Sequence, residues 1–151
     1  MERTLRAAWV EHRSMIHTML ASLEELAGLL QSRKIPYVIC HADLHPANLI
    51  RDQAGNVFVI DWDEVMFAPK ERDFIFVRPP HADAFFQGYG TAEFDEKALT
   101  YYRLERDIQD LIECARNVYI RDDFDLGEET KADAVKLFQD ILAAKELNSL
   151  R

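Results

Sequence analysis

Between Leu5 and Leu30 apolar side chains return mostly at three- and four-residue steps, and no proline interrupts them. Leu5, Ala8, Trp9, Ile16, Met19, Leu20, Leu23, Leu26 and Leu30 carry the spacing, which is that of an α-helix with one apolar face. Such a face is stable only against another layer, so the opening of the chain commits the rest to supplying one. The reading is one long helix from Glu2 to about Arg33, or two with a bend, closed by Pro36. Helical spacing returns from near Asp95 to about Ile120. It returns again from Glu128 to about Leu147, with Val135, Phe138, Ile141 and Leu142 on one face.

The middle of the chain changes period. "YVIC" reads as a short buried strand, and "NLI" and "VFVID" as two more. "RDQAGN" joins the last two as a hairpin turn in which Gly55 and Asn56 tolerate positive φ. "MFAPKERDFIFV" reads as a loop at first, with Pro69 in the first turn of a helix running on from Lys70. "HADAFFQGYG" reads as a short helix stopped by Gly88 and Gly90, and "DDFDLGEE" as a loop. The expected fold class is mainly α with a small β-hairpin (α+β), one domain over residues 1–151.

Charge and cysteine usage narrow the function classes. With 18 basic and 27 acidic residues the net charge is −9, which repels phosphate backbones and argues against nucleic acid as a partner. The same field favours a cationic small molecule. No apolar run is long enough to span a bilayer, so no membrane partner is expected. The first residues are charged and lack a signal-peptide core, and Cys40 and Cys114 stand far apart outside any CxxC spacing. A cytoplasmic setting with free thiols is the expectation.

Against this background "CHADLHPANLI", residues 40 to 50, crowds two histidines, an aspartate and an asparagine into one loop. If "NLI" and "VFVID" pair antiparallel, Asn48 and Asp61 come roughly opposite each other. A carboxylate facing an amide oxygen is a hard-oxygen site suited to Mg²⁺, which takes few protein ligands and completes its shell with water and phosphate. Asp43 then remains to orient and deprotonate a hydroxyl. Such an arrangement serves phosphoryl transfer, where the protein positions the acceptor, neutralises charge and supplies a base. A different chemistry is also open, because His41, Asp43 and His45 in H-x-D-x-H could offer two imidazoles and a carboxylate to zinc in a hydrolase.

"HADLHPANLI" followed by "VIDWDE" resembles the catalytic loop and metal-binding segment of the aminoglycoside phosphotransferase family, relatives of the protein kinases. The pattern His-x-Asp-x-x-x-x-Asn, then Ile-Asp-Trp, is met at every position. "APKERDFIFV", "GYG" and "YYRLERDIQDL" are similar, more narrowly, to the spectinomycin phosphotransferases. The resemblance implies the C-terminal lobe of a kinase-like fold, with a catalytic loop at 41–48 and a metal-binding segment at 60–64. It implies Asp43 as the base, His41 as organiser of the loop within the catalytic set, and Asn48 and Asp61 as Mg²⁺ ligands. Asp73 and His45 would be structural supports of the loop, and ATP the phosphoryl donor. The acceptor would be a small cationic aminoglycoside or aminocyclitol such as spectinomycin, with choline, homoserine or a sugar as other acceptors of the superfamily.

Candidate acceptor contacts are Asp63 and Glu64, beside the metal segment, and Tyr102 and Glu105, on a helix with Tyr101 and Asp107. For each the plainer reading is an exposed acidic pair or a helix packing face. The sequence departs from the family in having no glycine-rich loop, no strand lysine for ATP and no helix glutamate to pair with it. The expectation is therefore a fragment, an excised domain or a short gene product, feeble or inactive alone. It could pair with a separate N-terminal lobe or with itself. A non-catalytic kinase-like binding module is the alternative from another class.

Overall fold

The computed structural model describes residues 1–90, 93–121 and 128–149. The chain forms two compact units, Met1–Glu25 with Leu104–Arg151, and Leu26–Arg103. Their boundaries fall inside two helices, α2 (Arg13–Gln31) and α4 (Glu96–Tyr119). Among the described residues no helix is long and apolar enough to cross a membrane.

The first unit is helical, combining α1 (Glu2–Glu11), the start of α2, most of α4 and α5 (Glu128–Ser149). The opening periodic run is two helices, not one: His12 ends α1, its N–H still bonded to the Ala8 carbonyl and its Nδ1 2.9 Å from the same oxygen. Leu5, Ala8, Ile16 and Met19 are buried with Leu104, Ile108, Leu111, Cys114 and Val118 of α4 and Ala134, Val135, Phe138 and Leu142 of α5. The stripes expected from the spacing thus become one core, in which the Trp9 ring lies 6.2 Å from the ring of Phe138. Tyr119 Oη donates to the Glu2 carbonyl at 3.0 Å, tying the far end of α4 to α1.

Among the described residues, the strands all lie in the second unit. β2 (Leu49–Arg51) and β3 (Val57–Val59) form the expected hairpin, in the register Leu49↔Val59, Ile50↔Phe58 and Arg51↔Val57. Its turn closes on itself, with Gly55 at φ +91°. Asn56 does not take positive φ. Its amide donates to Asp52 Oδ1 and its side chain to Asp52 Oδ2, each at 2.8 Å. A second antiparallel pair joins β1 (Val38–Cys40) to β4 (Met66–Ala68), with Val38↔Ala68 and Cys40↔Met66. The residues at 66–68, expected as loop, are therefore a strand, because β1 offers them a partner that sequence proximity does not reveal. Nor is "YVIC" buried throughout: Val38 and Ile39 are exposed, and only Cys40 turns inward.

After Pro69 the chain makes only a 3₁₀ turn, Lys70–Phe74, instead of a helix running on. That tight turn drives Phe74 and Ile75 into a core with Leu99, against which Phe76, Phe85, Phe86, Phe94 and Tyr102 pack. Phe74 meets Phe85, Phe86 and Tyr89 edge-on, with centroids 5.0–5.7 Å apart, the geometry that the ring quadrupole favours. Helix α3 (Ala82–Tyr89) runs through Gly88 and ends at Gly90, which takes φ +88° as its left-handed cap. Asp95 caps α4, its Oδ1 accepting from Lys97 N and Ala98 N. The loop expected at "DDFDLGEE" lies, up to Gly127, outside the described residues.

Candidate active site

The loop between β1 and β2 departs from ordinary backbone at its start. Ala42 takes φ +69°, a conformation that costs a residue with Cβ about 1 kcal/mol or more. What holds it there is a carboxylate from far along the chain. Asp73, in the 3₁₀ turn after Pro69, accepts from Ala42 N at 2.7 Å (Oδ1) and from His41 N at 3.1 Å (Oδ2). Two backbone donors on one carboxylate are charge-assisted bonds, stronger than neutral ones.

His41 then links the loop to the far strand of the hairpin. The ring is buried; Nε2 donates to the Ile60 carbonyl at 2.8 Å, and Nδ1 accepts from Asp43 N at 3.3 Å. Trp62 packs edge-on against it at 4.7 Å. Both ring nitrogens are thereby committed, so H-x-D-x-H does not converge on a zinc ion. Among the described residues no three His, Cys, Asp or Glu side chains gather as a metal site.

Asn48 is 6 % exposed and ends a 3₁₀ turn, Pro46–Asn48, rather than opening β2. Its Nδ2 donates to the Asp43 carbonyl at 2.9 Å and reaches Asp43 Oδ2 at 3.3 Å. With the amide nitrogen committed to Asp43, Oδ1 is the atom left to offer a cation. Asn48 O accepts from Ile60 N at 3.0 Å, which places Ile60 opposite Asn48 and Asp61 one residue beyond. Asp61 is exposed and takes φ +62°, a second left-handed residue with a Cβ at this site. An amide oxygen and a carboxylate supply oxygen only, the donor type that Mg²⁺ prefers.

The remaining candidates fall in different places. His45 Nδ1 accepts from Ala47 N at 3.2 Å, and its Nε2 lies 3.3 Å from Asp43 Oδ2. Asp63 and Glu64 are exposed on the turn after Trp62. Tyr102 packs on the Phe74 core beneath the guanidinium of Arg72, 5.8 Å from its ring centre. Glu105 belongs to the other unit, so Tyr102 and Glu105 sit on either side of the boundary within α4. A concavity of about 840 Å³ in the second unit touches none of the loop residues. Several of its charged groups are held internally: Arg33 pairs with Asp95 at 2.6 Å, Lys70 Nζ donates to the Glu93 carbonyl at 2.6 Å, and Asp95 N donates to buried Glu71 at 2.8 Å.

Three features had no signal in the residue pattern. The left-handed backbone falls on Ala42 and Asp61, where no glycine marks it. The Ile60 carbonyl is a main-chain atom, invisible to any motif, yet it anchors His41. Buried Arg72 keeps Nε and Nη1 without a partner among the described residues. Cys40, next to His41, is not a nucleophile in waiting: burial and then the nearby Asp73 push its thiol up to about 11, and the neutral thiol donates to the Ala68 and Pro69 carbonyls.

Comparison with known proteins gives the same direction from outside the chain. Residues 2–111 match the phosphotransferase enzyme family. A spectinomycin phosphotransferase solved with ADP and spectinomycin aligns with 94 % of this chain and 48 % of its own, at 26 % identity and a TM-score of 0.72. The AMP-bound complex of spectinomycin phosphotransferase aligns with 88 % of this chain and 42 % of its own, at 28 % identity and a TM-score of 0.68. The chain thus spans about half the length of these solved relatives. Among curated proteins none matches.

Proposed function

This chain belongs to the phosphotransferase enzyme family, and from that premise we propose that it carries the catalytic loop of an ATP-dependent O-phosphotransferase acting on a small cationic alcohol. The observation that carries the reading is the way one loop is built. Asp43 and Asn48 are joined by hydrogen bonds, and His41 and Asn48 each bond the backbone at Ile60, one residue before Asp61. These bonds support reading Asp43 as the base, with Asn48 and Asp61 as oxygen donors near it.

Asp43 orients the acceptor hydroxyl and takes its proton as the oxygen attacks the terminal phosphorus of ATP. The new O–P bond forms as the bond to the β-phosphate oxygen breaks and ADP departs. Positioning with a general base contributes on the order of 10²–10⁴ in rate. Asn48 Oδ1 and the Asp61 carboxylate would hold Mg²⁺, which when bound neutralises charge on the phosphates. Asp73 keeps the loop backbone from relaxing, and His41 keeps it docked on the hairpin. Asp63 and Glu64, exposed beside Asp61, would attract the ammonium groups of the acceptor. The solved relatives were crystallised with ADP, AMP and spectinomycin, so an aminocyclitol is the first acceptor to try, in keeping with the net charge of −9.

The test is single-turnover transfer from γ-labelled ATP to spectinomycin with protein in excess, comparing wild type with Asp43→Asn. In a lobe-complete enzyme that carries this segment, transfer by the wild type and none by the variant, at unchanged folding, is expected; the chain alone should transfer slowly at most. Undiminished, measurable transfer by the variant would overturn the assignment of the base. One observation favours a non-catalytic binding module instead: Ile39, Phe58 and Phe67 of the strands are 64 %, 53 % and 72 % exposed. Calorimetry bears on the two readings, since acceptor binding with no Mg²⁺-ATP binding would favour the module.

A further inference from the structure

We infer that His45 is a positioning residue for the Asp43 carboxylate, and not merely the cap of the 3₁₀ turn that follows it. The inference rests on the phosphotransferase reading above, in which Asp43 is the base. The first observation concerns the proton. His45 Nδ1 accepts from Ala47 N at 3.2 Å, so in the neutral ring that nitrogen carries a lone pair and the hydrogen is on Nε2. Nε2 is the atom that faces Asp43, 3.3 Å from Oδ2.

The second observation is convergence. The same oxygen, Asp43 Oδ2, lies 3.3 Å from Asn48 Nδ2. A hydrogen bond from Asn48 and a 3.3 Å approach of His45 Nε2 therefore converge on one carboxylate oxygen. Rotation about the last bond of the Asp43 side chain would break both contacts at once, so the carboxylate plane is set. The third observation is that the ring itself is held. Phe76 meets it edge-on, 5.6 Å between centroids and 82° between planes. His45 N donates to the Asp43 carbonyl at 2.9 Å, and His45 O accepts from Asn48 N at 3.0 Å. A side chain fixed at Nδ1, at its face and at its backbone has one position left for Nε2.

The two nitrogens do different jobs, and two substitutions separate them. Asparagine places an amide where Nδ1 was, preserving the bond to Ala47 N and losing the reach to Asp43. Glutamine places its amide nitrogen near the position of Nε2, preserving that reach and losing the cap. If His45 positions the base, His45→Asn lowers kcat by about 10- to 100-fold, the cost of a misplaced reacting group, with KM for spectinomycin and ATP little changed. His45→Gln then stays within a few-fold of wild type. A cap alone predicts the reverse order, and that order would overturn the inference.

A spectrum of the wild-type chain decides the contact without relying on turnover. Long-range ¹⁵N–¹H correlation at neutral pH should show the His45 ring as the Nε2–H tautomer, with Nε2 moving when Asp43 is replaced by asparagine. An Nδ1–H tautomer, or an Nε2 resonance indifferent to Asp43, would overturn the inference even if the chain transfers phosphate. A chain that shows the tautomer and the coupling but transfers nothing to any acceptor supports the positioning contact and counts against the phosphotransferase reading alone.

Discussion

Two turns of this chain close on a carboxylate, and they do so at opposite ranges. In the hairpin tip, Asp52 accepts from the Asn56 amide and side chain four residues away, and Gly55 supplies the positive φ. In the loop after β1, Ala42 takes positive φ with a methyl group attached, and the carboxylate that receives its amide comes from Asp73, 31 residues on. The tip is exposed and self-sufficient. The loop is partly buried and depends on a carboxylate from the turn after Pro69. A turn that needs only itself can sit anywhere; one that is strained and held from afar marks a place where geometry is being imposed. That the imposed geometry coincides with Asp43 and Asn48 is what makes the loop a candidate for chemistry.

The comparison breaks most visibly at Asp73. Replacing it by alanine leaves the amides of His41 and Ala42 without their charged acceptor, in a partly buried place. The expected cost is about 3 kcal/mol, from two hydrogen bonds to a charged group at roughly 1.5 kcal/mol or more each. Urea unfolding reads the stability, and amide exchange should show His41 and Ala42 losing protection first. A loss below about 1 kcal/mol, the worth of an ordinary neutral hydrogen bond, would mean that the loop holds itself.

Gly55 and Ala42, one positive-φ residue from each turn, give opposite signs under exchange of alanine and glycine. Gly55→Ala should destabilise the chain by about 1 kcal/mol, because an L side chain is strained at φ +91°. The new methyl also meets Arg51, whose flexible guanidinium lies 3.3 Å from the added carbon and can withdraw. Ala42→Gly should instead be neutral or stabilise by up to about 1 kcal/mol, since the strain released offsets the roughly 0.8 kcal/mol lost with a fully buried methyl. Equal signs in the two melts would remove the claim that Ala42 is strained.

The same contrast explains what the residues disclosed. The helices were legible because their information is local: Leu5, Ala8, Ile16 and Met19 repeat at the helical period, and each is buried. The β2–β3 hairpin was legible for the same reason, with "AGN" between two apolar triplets. The pairing of β1 with β4 was not, because Val38 and Ala68 meet across 30 residues and β4 has too few residues to show alternation. At the site, the motif drew attention to Asp43, Asn48 and Asp61, and the hairpin register brings Asn48 opposite the residue before Asp61. Which atoms do the holding could not be read from side-chain types. Two of the anchors are backbone groups, the Ile60 carbonyl and the Ala42 amide. Tyr102 lies in the helical stretch where the resemblance puts acceptor contacts, and the partly buried ring packs against the Phe74 core.

Acid gives the smallest effect and the finest test of the self-sufficient turn. The Asn56 side chain and then the Asn56 amide hold the Asp52 carboxyl below its ordinary value of 3.8. Asp95 is also held low: burial pushes it up, but Arg33 and the amides of Ala98 and Lys97 outweigh that. For a carboxyl depressed in the folded chain, the unfolded state binds protons first as pH falls. The stabilisation is therefore complete above the unfolded value near 3.8 and is lost as pH drops through the lower folded value. Amide exchange followed downward from pH 6, corrected for its intrinsic pH dependence, should show Asn56 losing protection only below that value. In Asp52→Ala the Asn56 amide should exchange fast at every pH, with no acid step. An acid step that survives the substitution would place the titrating group elsewhere, and the tip would no longer count as a turn that holds itself.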